Sequence, residues 1–326
     1  MSLSFSPFLL TQLSAPDGLE NLEVMLHVIQ GYGEQLPAAC QRTCEDAWAI
    51  FSTFIQKYAT NFDLAERTTR VLRRGIDLFG KSLFPIASAV IARMSFAFEA
   101  TGFRGYLSIA GKISARFGYE ENSDWRGAIQ EIFERSTAKV AAMLHAASPR
   151  ELPDGLLIPD LFQKIILNFD LVLEDYTQML LQFILMAPDI LFVSSSFPLA
   201  FSCVMTGLTV VHSDIIFASL DFFRSILSHD CMDPPTTSTP PSFLVYAATI
   251  RRVMEKEGLQ FVACTLSGFT GNFPEDAAST VVTIFRHLVY LFPVQLLTWL
   301  SAVLEQLPTN GVPTTAKAQF LQDVTK

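Results

Sequence analysis

The sequence predicts an all-α protein, a right-handed α-α superhelix in which antiparallel helix pairs stack one upon the next. Three observations carry this. Apolar residues recur at i, i+3, i+4 along most of the chain. A short aromatic–Pro–aliphatic step recurs at the head of such stretches. Half of the 326 residues are hydrophobic and only 17% are charged, which calls for a long, continuous core. Sustained period-2 alternation is absent. The one Asn-Gly pair, Asn310-Gly311, sits in a Pro-flanked loop, so hairpins are not expected.

The opening stretch, Met1 to Leu13, is apolar and Ser-rich but has no basic n-region, and is not read as a signal peptide. One helical stripe runs Leu64, Thr68, Val71, Leu72, Gly75 and Phe79, with Arg67, Arg70, Arg73, Arg74 and Asp77 falling largely elsewhere. Another runs Trp125, Ile129, Ile132, Phe133, Ser136, Val140 and Met143. Phe243, Ala247, Ile250 and Met254 repeat the pattern, as do Ala278, Val281, Val282, Phe285, Leu288 and Val289. In order, helices are expected over residues 18–30, 37–58, 62–79, 85–100, 104–117, 124–144, 159–169 and 171–186. They continue over 198–208, 213–228, 241–257, 258–267, 275–291, 293–306 and 315–324.

The punctuation is regular. Phe84-Pro85-Ile86, Phe197-Pro198-Leu199 and Phe292-Pro293-Val294 place proline where a helix begins and its missing N–H costs nothing. Pro37, Pro159 and Pro241 fit the same role. Successive starts lie roughly 40–50 residues apart, with one gap near twice the shorter spacing, which is the period of HEAT or armadillo helix pairs. One such pair cannot bury its apolar face alone, so neighbours must stack. The expectation is a single HEAT/armadillo-like solenoid over residues 1–326, with residues 232–241, rich in Pro and Thr, as an exposed loop within it.

Composition also excludes. A net charge of −9 argues against direct binding of DNA, since phosphate contacts need clustered Lys and Arg; an acidic surface suits basic partners. Five scattered cysteines, Cys40, Cys44, Cys203, Cys231 and Cys264, do not form a disulfide framework and fit a reducing compartment. Mean hydropathy is +0.34. Two stretches without Asp, Glu, Lys or Arg, 190–213 and 288–304, approach the length of a membrane span. Ser194-Ser195-Ser196 with Pro198, and Pro293, interrupt them, so buried helices are expected instead, and no membrane span.

Gly75-Ile76-Asp77-Leu78-Phe79-Gly80-Lys81-Ser82 matches the P-loop pattern, but a helix precedes it where a strand is needed, and Gly80 reads as a helix C-cap. His229, Asp230, Cys231 and Asp233 cluster without a second ligand pair, so no metal site is expected. Cys40 and Cys44 share a helix face as core thiols would. Neither a nucleophile elbow, a catalytic carboxylate pair nor a dinucleotide fingerprint is present. The expectation is a non-enzymatic binding protein without a cofactor.

Three segments add a family resemblance. They are Ala65-Glu66-Arg67-Thr68-Thr69-Arg70-Val71-Leu72-Arg73-Arg74-Gly75, Tyr106-Leu107-Ser108-Ile109-Ala110-Gly111-Lys112 with its continuation to Gly118, and the run from Leu173-Glu174-Asp175-Tyr176 through Ala187-Pro188-Asp189 to His229-Asp230. Together they resemble the C-terminal third of importin-β karyopherins of the transportin-SR branch, in the fungal messenger-RNA transport regulator form. The resemblance implies a receptor that shuttles between cytoplasm and nucleus. It would import Arg/Ser-rich or other basic RNA-binding proteins, meet nucleoporins, and release cargo to Ran-GTP, held mainly by repeats this chain is too short to include.

In animal members of that family a helix presents several arginines to the phosphorylated Arg-Ser tail of cargo, where multivalent guanidinium–phosphate bonds make physical sense. The corresponding helix is read here as 213–228. Only Arg224 stands at an arginine position, and Asp221 replaces a neighbour one turn earlier. Cargo contacts are therefore expected at Arg224, Asp221 and Asp214, the carboxylates pairing with unphosphorylated arginines. The alternative is a HEAT-repeat scaffold of another assembly, without a transport role.

Overall fold

The computed structural model describes residues 39–147 and 159–306, together with 315, 317 and 319. Among them every regular element is helical. The chain divides into two compact units, Met1–Ile190 and Leu191–Lys326.

The first unit contains α1 (Ala39–Tyr58), α2 (Phe62–Phe79), α3 (Phe84–Thr101), α4 (Arg104–Phe117), α5 (Ser123–Ala147) and α6 (Pro159–Met186). Each helix touches its successor within a pair, α1 with α2, α3 with α4 and α5 with α6. Each also packs on the helix two places along, so α1, α3 and α5 form one layer and α2, α4 and α6 the other. That is the stacking the repeat period requires: a pair buries its remaining apolar face only against the next pair. The short α7 (Pro188–Val193) follows.

Local chemistry sets the helix ends. Asn61 caps α2, its side-chain oxygen accepting the Leu64 N–H at 3.2 Å. Gly80 ends it at φ 51°, donating its N–H to the Ile76 carbonyl; a non-glycine residue there would be strained. Asn122 opens α5 by accepting from the N–H groups of Asp124 and Trp125 at 3.0 and 3.1 Å. Trp125 is fully buried beside Phe117 and Phe84, with ring centroids 6.0 and 6.3 Å away. Burying rings of this size is the main source of stability, on the order of 2–3 kcal/mol each. The fully buried pair Thr137 and Tyr176 meets at 2.8 Å and ties α5 to α6.

The second unit repeats the plan with α8 (Phe197–Thr206), α9 (Ser213–Leu227), α10 (Pro241–Thr270), α11 (Ala278–Leu291) and α12 (Pro293–Gln306). Here α8, α10 and α12 pack in succession, and α9 packs on α11. Phe201, Phe223 and Phe261, all buried, bring α8, α9 and α10 together, with the last two rings 4.5 Å apart. All three Phe-Pro steps lie at helix starts, at α3, α8 and α12, and Pro159 and Pro241 open α6 and α10.

Several boundaries differ from expectation. Residues 159–169 and 171–186 are one helix, α6, with Asp170 at the anticipated break buried inside it. Residues 241–257 and 258–267 are one 30-residue helix. Gly258 does not break it: a Cβ there would lie 2.4 Å from the ring of Trp299, so the glycine admits close approach of α12. The expected helix 275–291 begins as a 3-10 turn, Glu275–Ala277, and α8 likewise ends in one, Gly207–Thr209. The expected helix over 18–30, the start at Pro37, and all of 315–324 except positions 315, 317 and 319 lie outside the described residues.

Neither uncharged stretch is a single helix. Residues 190–213 hold the end of α7 and then α8, only 10 residues long, separated by a turn, and 288–304 breaks at Phe292. By length and composition alone, Phe62–Thr101 could cross a membrane. It comprises two 18-residue helices, α2 and α3, joined by a 3-10 turn and both packed into the stack. Of the expected exposed loop over 232–241, residues 233–238 are exposed throughout, whereas Met232 is buried in a 3-10 turn and Pro241 opens α10.

Candidate functional site

Asp214, Asp221 and Arg224 all lie on the solvent side of α9, whose opposite side buries Ile215, Ile216, Phe222 and Phe223. The structure joins two of them. Arg224 Nη2 is 2.9 Å from Asp221 Oδ1, both side chains about half exposed. Asp214 stands in the first turn, two turns away. An exposed i, i+3 pair of this kind contributes at most about 1 kcal/mol, but it occupies the only arginine of the helix.

A denser array of charge lies on the layer of α2, α4 and α6. α2 carries Arg67, Arg70, Arg73 and Arg74 within eight residues; Arg67, Arg70 and Arg74 are exposed and Arg73 is half-buried. Their spacing puts them on one broad side of the helix, opposite buried Ala65, Thr68, Val71 and Ile76. Glu66 holds Arg70 at 3.2 Å. Asp77 of α2 accepts from Lys112 of α4 at 2.5 Å, which clamps the two helices. Arg104 and Arg116 of α4 extend the basic character. This row was legible as a count of arginines on one helix. The family resemblance includes these arginines, yet it points to 213–228 as the arginine helix, where only Arg224 stands.

Beside the arginines, α4 and α6 enclose a cleft of about 190 Å³ lined by Ser108, Gly111, Lys112, Asp175, Gln178 and Gln182, among others. Gly111 keeps it narrow at the base, where a Cβ would stand 3.4 Å from the Met179 backbone. Burial pushes the Asp175 carboxyl up to about 6. Arg104, 3.9 Å away, opposes that; Glu174 adds to it; Arg73 of α2 opposes it through space.

The other motifs resolve structurally. The P-loop-like run is the end of α2, its Gly80 cap and a 3-10 turn, with no strand before it. His229 Nδ1 accepts the Cys231 N–H at 3.1 Å, and the ring packs among Phe192, Phe243 and Tyr246. Burial lowers its pKa. Burial also pushes the Cys203 and Cys231 thiols up to about 12, far from thiolate chemistry. Among the described residues no group of three or more His, Cys, Asp or Glu could hold a metal ion. The side chains of Cys40 and Cys44 lie outside the described residues.

The arginine row and the α4 wall of the cleft fall within a stretch that known proteins share; the α6 wall, with Asp175, lies outside it. Residues 38–141 match the family described as the Transportin-3/Importin-13 fourth TPR domain. A solved structure of importin13 in its cytosolic state superposes on 99% of this chain with a TM-score of 0.73 at 12% identity, which shows the all-α repeat fold. A Schizosaccharomyces pombe (strain 972 / ATCC 24843) protein, "Uncharacterized protein C11G11.07", is 19% identical over 93% of the chain. The chain spans about a third of these relatives' lengths, 35% of the importin13 chain and 30% of the fission-yeast protein.

Proposed function

We propose that this chain is a stretch of a karyopherin-type nuclear transport receptor, and that its cargo-binding surface is the α2–α4 face. The observation that carries the reading is the row of four arginines on α2, inside the segment that matches the Transportin-3/Importin-13 family. Guanidinium groups spaced along one helix suit a multivalent anion, above all a phosphorylated segment, because each fork makes charge-assisted, paired hydrogen bonds. The cargo class is Arg/Ser-rich nuclear RNA-binding proteins, as in the transportin-SR branch. Ran-GTP and nucleoporins are the further partners, and shuttling between cytoplasm and nucleus the location. α9 plays a secondary part, with Asp214 and Asp221 as carboxylates for a basic stretch and Arg224 held by Asp221.

The test is fluorescence anisotropy with an Arg-Ser repeat peptide, phosphorylated or not, titrated with the chain at two salt concentrations. Salt-sensitive binding that requires phosphate and is lost in Arg67→Ala/Arg73→Ala supports the reading. Binding indifferent to phosphate and to both arginines contradicts it. The second reading, a scaffold for another assembly, draws on an apolar cleft of about 420 Å³ between α10 and α11, lined by Leu266, Phe269, Val282, Phe285 and Val289. It predicts a partner that binds through this cleft and ignores Ran-GTP.

A further inference from the structure

The cleft between α4 and α6 differs in kind from the arginine row beside it. Its one carboxylate, Asp175, is three-quarters or more withdrawn from water, with a side-chain exposure of 21%. Its lining adds the Ser108 hydroxyl and the amides of Gln178 and Gln182, each able to accept a hydrogen bond. The nearest cation, Arg104, is 3.9 Å off, beyond a direct hydrogen bond. Lys112, at the same cleft, has its ammonium drawn to Asp77 on the α2 side. A desolvated carboxylate without a close donor is costly. A group entering the cleft with several N–H donors and a positive charge would satisfy it.

We propose that the Asp175 cleft is a guanidinium subsite, which receives an arginine side chain of the segment whose phosphates lie on α2. The proposal rests on the α2 reading above and sharpens it: the partner must alternate charge. Stacked helices stand about 8–10 Å apart, and an extended chain covers roughly 3.3–3.6 Å per residue. The cleft lies between the next two helices of the layer, about one and a half spacings from α2, so the arginine that enters it lies about three to five residues from a phosphate held on α2. A uniformly acidic segment fills the row and leaves the cleft empty. A uniformly basic one meets repulsion from Arg67, Arg70, Arg73 and Arg74.

The groups facing Asp175 are Arg104 and Lys112 from α4, Glu174 on α6 itself and Arg73 from α2. None titrates between pH 5 and 8 in its ordinary range. The carboxyl of Asp175 sits at about 6, and it must ionise to bind a cation. Binding through the cleft therefore strengthens as pH rises through about 6 and weakens below it.

Two peptides of equal phosphate count decide the matter, one of phosphoserine–arginine repeats and one of phosphoserine–alanine repeats. Both are titrated against the full chain and its Asp175→Asn and Arg67→Ala/Arg73→Ala variants from about pH 5 to about pH 7, a range that spans about one unit either side of the Asp175 value. The expected result is a roughly tenfold loss for Asp175→Asn on the arginine peptide alone. The excess affinity of that peptide over the alanine peptide should also lose its pH dependence in this variant. Equal effects of Asp175→Asn on both peptides would overturn the subsite while leaving the arginine row standing, provided the double-arginine variant still loses both. If neither peptide binds, or the double-arginine variant changes nothing, both readings fall. An unchanged melting temperature profile for Gln178→Ala, with weakened binding of the arginine peptide only, gives a second check independent of the charge.

Discussion

α2 and α9 present the same problem with opposite solutions. Each is an amphipathic helix with charged residues on its solvent side and a buried apolar side; the family resemblance points to α9 as the arginine helix, while the denser arginine row stands on α2. On α9 the single arginine is spent on Asp221 three residues earlier, so the exposed strip has no net positive charge to offer. On α2 the arginines outnumber the acidic residues of the same side, Asp63, Glu66 and Asp77, and one of those acids is held by Lys112 of the next helix. What separates the two is not the presence of arginine but the local balance of partners, including cations supplied by the neighbouring helix.

The comparison can be broken most severely from inside. Phe223 anchors α9 by its rings against Phe201 and Phe261. Phe223→Ala is expected to cost about 3–5 kcal/mol of stability, read as a drop in Tm, with no selective effect on phosphopeptide binding at temperatures where the chain stays folded. Next in size is the arginine row: Arg67→Ala/Arg73→Ala should weaken binding of a phosphorylated Arg-Ser peptide by roughly 10–100-fold at low salt, with Tm unchanged. Asp175→Asn should raise stability at neutral pH by on the order of 2 kcal/mol, seen as a Tm gain at pH 7 that vanishes near pH 4. The sign follows from a folded-state value of about 6 above the ordinary 3.8: between the two the unfolded chain is ionised and the folded one is not, so stability falls as pH rises. Asn61→Ala removes the cap of α2 and should cost about 1 kcal/mol, sharpening the question of whether the row needs a well-ordered first turn. Smallest of all, Arg224→Ala should change phosphopeptide affinity by less than about twofold, and this near-silence on α9 is as diagnostic as the loss on α2.

Much of the fold was legible. The helices at 62–79, 104–117 and 293–306 fall where the apolar period, the Phe-Pro step and Gly80 placed them. Long helices were split because local cues lack tertiary information: the expected boundary at 257/258 falls at Gly258, which accommodates Trp299, and the one at residue 170 falls at Asp170, which lies buried within α6. The site was less legible. Counting arginines finds α2, yet pairing is a property of space. Asp77 with Lys112 and Asp175 with Arg104 join residues 35 and 71 positions apart, and no helical period foretells them. The α4–α6 cleft is likewise a product of stacking, its narrowness set by Gly111 against the Met179 backbone.

The central claim is that the α2 row, and not α9, takes the anionic partner. The most direct test is a side-by-side titration of one phosphorylated Arg-Ser peptide with Arg67→Ala/Arg73→Ala and with Arg224→Ala, both checked for unchanged helicity. The account predicts a loss of at least about tenfold for the first and near-wild-type binding for the second. Loss in Arg224→Ala with retention in the double variant would contradict it.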